Sequence, residues 1–293
     1  MLDEIFNQAL AAFPDVADTV TRIRDVRREA FSRTYEEFFE PKSAFDLSGK
    51  SPRLLGLSLP DVEAWAKHMA YSTRVRMLSI EPSILDAIVN DRLTPAAVLL
   101  RSHSETAGLA CLALMTLRGA KSDRLRDVIQ RTLFGSALAK GWRSFENLAT
   151  FAPETEGTPA SAKELMESLD SFVAAGAKEN NRYQAAYGIL CEFAHPNNRG
   201  MLGFLRSTEL PPVGWRVRYS PTEEVRPDDR RMVLGLLLEM MRLGYSASEF
   251  LRLGIVHVVD DGFSISPPEP RAMERVLRKL MLLEDAPEIG WVM

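Results

Sequence analysis

The sequence predicts a mainly α-helical protein: a helical bundle with a small β-hairpin inserted between core helices. Three observations predict it. Apolar residues recur with a period near 3.6 along most of the 293 residues. One stretch, from Ala96 to Arg118, is apolar nearly all round, as a central helix enclosed by neighbours must be. Only near residues 200–220 does the pattern turn to strict alternation, in Trp215 to Tyr219.

Taken in order, Asp15 to Glu40 reads as the first strong helix, with Val16, Val20, Ile23, Val26, Arg27, Ala30, Phe31, Tyr35 and Phe38 in phase and Pro41 as its stop. Residues 42–59 carry Ser, Gly and Pro and read as a linker. Pro60-Asp61 opens a helix bearing Val62, Trp65, Ala66 and Met69, and Pro82 reads as the start of a second, short one to Asn90. Thr94 and Pro95 give an N-cap and first helical position for the central helix. A further helix runs from Ser122 to about Lys140. Thr158-Pro159 begins another, to about Ala175, and Asn180 to Ala194 forms the next, stopped at His195-Pro196. Met201–Arg206 and Trp215–Tyr219 make the hairpin, Asp228–Leu253 is a long helix, Val256–Phe263 a single strand, and Glu269–Leu283 a last helix. The division is residues 1–59, an N-terminal helical region and linker, and 60–293, a helical core domain.

Composition excludes several classes. Lys plus Arg number 36 against 40 Asp plus Glu, a net charge of −4, which is unlike a wholly electropositive nucleic-acid cradle. Two cysteines, Cys111 and Cys191, make no disulfide framework and suit a reducing, cytoplasmic setting. The longest dense apolar run, Met232–Met241, contains Glu239 and is too short to span a bilayer, so no membrane association is expected. No Walker loop, G-x-S-x-G elbow, H-E-x-x-H or paired C-x-x-C occurs, and no cofactor is expected.

Two polar sets interrupt the apolar pattern. Arg101, His103 and Glu105 intrude into the central helix, and Arg101 and Glu105, four apart, share a face. Such a pair is either a structural ion pair or the wall of a cleft whose guanidinium grips an anion. Glu192 and His195, three apart, close the helix that precedes Pro196, with Gly188 one turn earlier leaving room for a close approach. His195 is either a helix-end cap or a titrating group tuned by Glu192 and the helix dipole. Glu-x-x-His also occurs in di-iron bundles, but those need two such pairs, and Glu63 and His68 point apart, so no metal is expected. A third feature is basic: residues 118–143 hold seven cations, among them Arg118, Lys121, Arg124, Arg126 and Arg131, against Asp123 and Asp127, for a net +5 interleaved with Phe134 and Trp142. It is either a solvated helix face or a phosphate-binding one.

Together, Arg101-Ser-His-Ser-Glu105 and Tyr187-x-x-x-Cys-Glu192-x-x-His195-Pro-Asn-Asn resemble a group of uncharacterised bacterial helical proteins, similar to the HEPN superfamily. The likeness spans about Thr94 to Leu253. It implies a helical, frequently dimeric protein, many members being nucleases of conflict systems. Active HEPN ribonucleases carry an Arg a few residues before the His on the same helix end. Here Arg182 is thirteen residues before His195, and Arg199 follows it. The expected function is a non-catalytic helical binding module, acting as a homodimer, for a protein partner, RNA or small anion, with a polar cleft of Arg101, Glu105, Glu192 and His195. The alternative is a metal-independent ribonuclease using His195 and Arg101.

Overall fold

Phe6 and Ala9 lie three residues apart, so a helix puts them on one face; α1 (Leu2–Ala12) does this and buries both. This helix precedes the first one read from the sequence. Pro14 opens a single 3-10 turn, and α2 (Ala17–Phe31) follows with Val20, Ile23, Val26, Arg27 and Ala30 buried. The computed structural model describes residues 2–31, 59–117, 120–121, 160–173, 181–195, 204–209, 216–220, 223–259, 262–266 and 271. The helices read at 122–140 and 269–283, and the end of the first one beyond Phe31, lie outside them.

α3 (Leu59–Val89) runs straight through Pro82, correcting the expectation that a new helix starts there. Proline has no N–H, so the carbonyl four residues back, that of Leu78, loses its helical donor. Arg27 on α2 replaces it, its Nη1 donating to Leu78 O at 2.8 Å. After α3 the chain turns at Asp91, whose φ of 53° is tolerated by a short polar side chain. α4 (Leu93–Leu117) starts one residue before Thr94, so Thr94 is not its cap. Its N–H and hydroxyl instead donate to Glu223, at 2.7 and 3.1 Å.

A two-residue strand, β1 (Ala120–Lys121), follows. α5 (Ala162–Val173) begins at a capping box, not at Thr158-Pro159. Ser161 N–H donates to Glu164 Oε2 at 2.8 Å, and Glu164 N–H returns to Ser161 Oγ at 3.2 Å. α6 (Arg182–Ala194) is capped from α5: buried Asp170 accepts the N–H of Tyr183 at 2.9 Å and of Gln184 at 3.3 Å, a negative charge at the positive end of a helix. Gly108 lets α5 lie directly on α4, since a Cβ there would stand 2.7 Å from Leu165 O.

β2 (Leu205–Glu209) and β3 (Arg216–Tyr219) form the expected antiparallel hairpin, the first strand falling later than 201–206. α7 (Pro227–Leu253) follows the hairpin. The segment read as one strand, Val256–Phe263, is a hairpin instead: β4 (Ile255–Val259) pairs antiparallel with β5 (Gly262–Ser266), Val258 facing Phe263. β1 adds to the free edge of β5, giving the order β1-β5-β4.

The described chain is thus mainly helical. α4 is its centre, packed by α3, α5, α6 and α7, which is why it needs no polar face. Phe6, Val20 and Val26 from before residue 59 enter the same apolar core as Leu85, Leu100, Leu114 and Leu237. Among the described residues no helix is long and apolar enough to cross a membrane.

Candidate functional site

α4 and α6 are neighbours, and their polar residues meet. Arg101 Nε donates to Tyr187 Oη at 2.8 Å and approaches Glu105 Oε1 at 3.3 Å; the Tyr187 hydroxyl in turn donates to the same Glu105 oxygen. The guanidinium also sits over the Tyr187 ring, 5.2 Å from its centre, a cation–π contact. The group is not sealed in the core: the Arg101 and Glu105 side chains are 32% and 36% exposed. Burial, then the hydrogen bond to Glu105, holds the Tyr187 phenol above the ordinary tyrosine range. It is therefore a fixed neutral donor, and no base at neutral pH. The hydrogen bond to Tyr187 is also the largest influence on Arg101 and reinforces its positive charge. One edge of the guanidinium is thus pinned from two helices. Among the described residues, its Nη1 and Nη2 have no protein partner.

The other two cleft candidates lie further along α6. Counting ~100° per residue, Glu192 sits about 140° around the helix from Tyr187, and it is exposed. His195 is the C-cap residue, its backbone N–H donating to Cys191 O at 2.9 Å and its side chain exposed. No hydrogen bond or ion pair joins His195 to Arg101 or Glu105. Cys191, one turn before it, is close enough to Arg101 to interact with its charge. A Cβ on Gly188 would meet nothing within 4 Å, so the room it leaves opens to solvent. Arg118, Arg124, Arg126 and Arg131 lie outside the described residues, and Lys121 is placed only as backbone in β1. Among the described residues no group of His, Cys, Asp and Glu is arranged to hold a metal ion.

The fully buried polar groups are elsewhere, and the sequence singled out only one of them. Glu81 on α3 accepts from Arg27 Nη1 at 2.5 Å and from the Tyr245 hydroxyl at 2.5 Å, and meets His103 Nε2 at 3.2 Å. α2, α3, α4 and α7 therefore join at one carboxylate. Nearby in the same helix pair, Arg74 on α3 donates to Glu249 on α7 at 2.5 Å, and Arg252 chelates that carboxylate with Nε at 3.1 Å and Nη2 at 2.8 Å. A charge in a dry core persists only with such partners. His103 is thus a structural ligand of Glu81 and no part of the outer cleft.

No family model, curated protein or solved structure matches the chain.

Proposed function

We propose that the chain is a non-catalytic helical-bundle binding module of HEPN-like type, which holds an anionic group of its partner through Arg101. One observation carries the reading: the Arg101 guanidinium is fixed along its Nε edge by Tyr187 and Glu105, while among the described residues its terminal nitrogens have no partner, at a half-open surface. An arginine held this way has lost its conformational freedom before binding and offers a two-pronged donor for a carboxylate or phosphate. Tyr187, Glu105 and Arg101 form a positioning set, in which the Tyr187 phenol is held neutral. The test is titration of wild type and Arg101→Ser with fluorescein-labelled oligoglutamate and oligouridine at low salt. Whichever anion binds should bind at least tenfold more weakly to the variant. If neither is retained by wild type, the reading is wrong.

A metal-independent ribonuclease is the second reading. It is favoured by the packing of α6 on α4, which sets Tyr187, about two turns before His195, against Arg101. It requires His195 as acid or base on a ribose hydroxyl beside a phosphate held by Arg101. Incubating RNA with wild type and His195→Ala in chelator tests it. The module reading expects no cleavage by either.

A further inference from the structure

On the flank of α4 opposite Arg101 stands a second arginine that the reading above does not use. Arg76, exposed on α3, donates from Nε to Thr106 Oγ1 at 3.1 Å and from Nη2 to Ser102 Oγ at 3.3 Å. Thr106 is itself fixed, its hydroxyl donating to Ser102 O at 2.9 Å. Both of Arg76's partners are therefore neutral hydroxyls. Among the described residues no carboxylate pairs with it, whereas Arg22, Arg27, Arg74, Arg92, Arg101, Arg182, Arg230, Arg231 and Arg252 all have one. A guanidinium immobilised without being neutralised is a cation presented outward.

Five residues separate Arg101 from Thr106, about 140° around α4, so the two arginines bracket its outward stripe at roughly one helix diameter, ~10 Å. On that stripe the apolar side chain left in solvent is Val98, 44% exposed and aliphatic. A nucleic-acid strand held by a protein surface rests its bases on aromatic side chains, and among the described residues the aromatic ring at this face, Tyr187, already carries the Arg101 guanidinium.

We infer that the stripe of α4 between Arg76 and Arg101 docks a protein segment bearing two carboxylates with an aliphatic residue between them. This rests on the binding-module reading and names its partner. With Glu105 counted, the face carries one net positive charge, so the carboxylates are attracted, while Val98, one turn before Ser102 on the same stripe, offers an aliphatic contact. In a polyproline-II segment residues three apart share a face about 9 Å apart, of the same order as the helix diameter that separates the two anchors. The expected pattern is an acid, two residues that include Val, Leu or Ile, and a second acid.

The test is selection of a random dodecapeptide display library on wild type, counter-selected on Arg76→Ser/Arg101→Ser, with circular dichroism confirming that each variant keeps its helix content. Enriched peptides should show two acids three apart flanking an aliphatic residue. Resynthesised, they should bind Arg76→Ser at least tenfold more weakly and Val98→Ser several-fold more weakly. Absence of enrichment, or enrichment without acids, overturns the inference. So does binding indifferent to Arg76→Ser. If Arg101→Ser abolishes binding and Arg76→Ser does not, the single-arginine module stands and the two-point docking falls. Oligouridine that binds wild type more tightly than any selected peptide, and loses that binding in Arg76→Ser, would replace the peptide by a phosphate backbone.

Discussion

The hydroxyl of Tyr245 and the carboxylate of Glu81 meet at 2.5 Å with both side chains closed to solvent. Glu81 also receives Arg27 and His103, so it is the one acceptor on which three other helices depend. Glu81→Ala leaves the buried Arg27 without a counter-charge and should cost about 3–5 kcal/mol. Urea denaturation should show the midpoint falling sharply with an unchanged slope. A loss below about 1 kcal/mol would mean that Arg27 finds water or another partner.

The outer pair behaves differently. Arg101 and Glu105 are each about a third exposed, so solvent screens them, and Glu105→Ala should cost no more than about 1 kcal/mol. The same substitution should weaken anion binding by Arg101 or change its selectivity, because the guanidinium is released from one of its two anchors. Stability and binding measured on one preparation separate the two effects.

Gly108 and Gly244 look alike in the sequence, each lying within a helix, yet alanine should be tolerated differently. At Gly108 a methyl group meets the backbone of Leu165, at 2.7 Å from its oxygen, and only a shift of α5 relieves it. At Gly244 the nearest atoms are the thioether end of Met77, 2.6 Å away, which can rotate aside. Gly108→Ala should destabilise by about 1–3 kcal/mol and Gly244→Ala by less. Thermal melts of the two variants side by side would check the order.

Burial lowers the pKa of His68 below its ordinary 6.5. The unfolded chain therefore binds this proton more readily than the folded one, so stability rises with pH through that interval. The contribution from neutral His68 is complete above 6.5 and is lost progressively as pH falls from 6.5 toward the folded value. His68→Gln should flatten the difference in stability between pH 7 and pH 5.5, measured by urea titration at each. An unchanged slope would assign it to other groups.

Cys111 is fully buried, and burial holds its thiol above the ordinary range, while Cys191 is half-buried. A thiol reagent at pH 8 should label Cys191 in the native protein and Cys111 only after urea. Comparison with Cys191→Ser identifies which sulfur reacts.

These contrasts mark what the sequence could and could not disclose. Periodicity located α2, α4, α6 and α7 because a buried stripe needs only local spacing. Arg101 and Glu105 were legible as a pair for the same reason, four residues being one turn. Their exposure was not, because an almost uniformly apolar helix does not say which neighbours leave a gap. Arg74 and Glu249 are 175 residues apart and Arg27 and Glu81 are 54 apart, distances at which no spacing rule operates. Only an arginine in phase with an apolar row, as Arg27 is with Val20, Ile23 and Ala30, signals such a partner. The Tyr187 ring packs against the core, but the hydroxyl that ties Arg101 to Glu105 has no signature of its own in the sequence.

Synthesis of the chain is directional, and that gives the Pro82 contact a temporal side. Arg27 is made 51 residues ahead of Leu78, the carbonyl it serves. When Pro82 emerges, the residue that supplies the donor its ring lacks has already been made. In the folded chain α2 thus serves as a splint across the one turn of α3 that its proline leaves a hydrogen bond short.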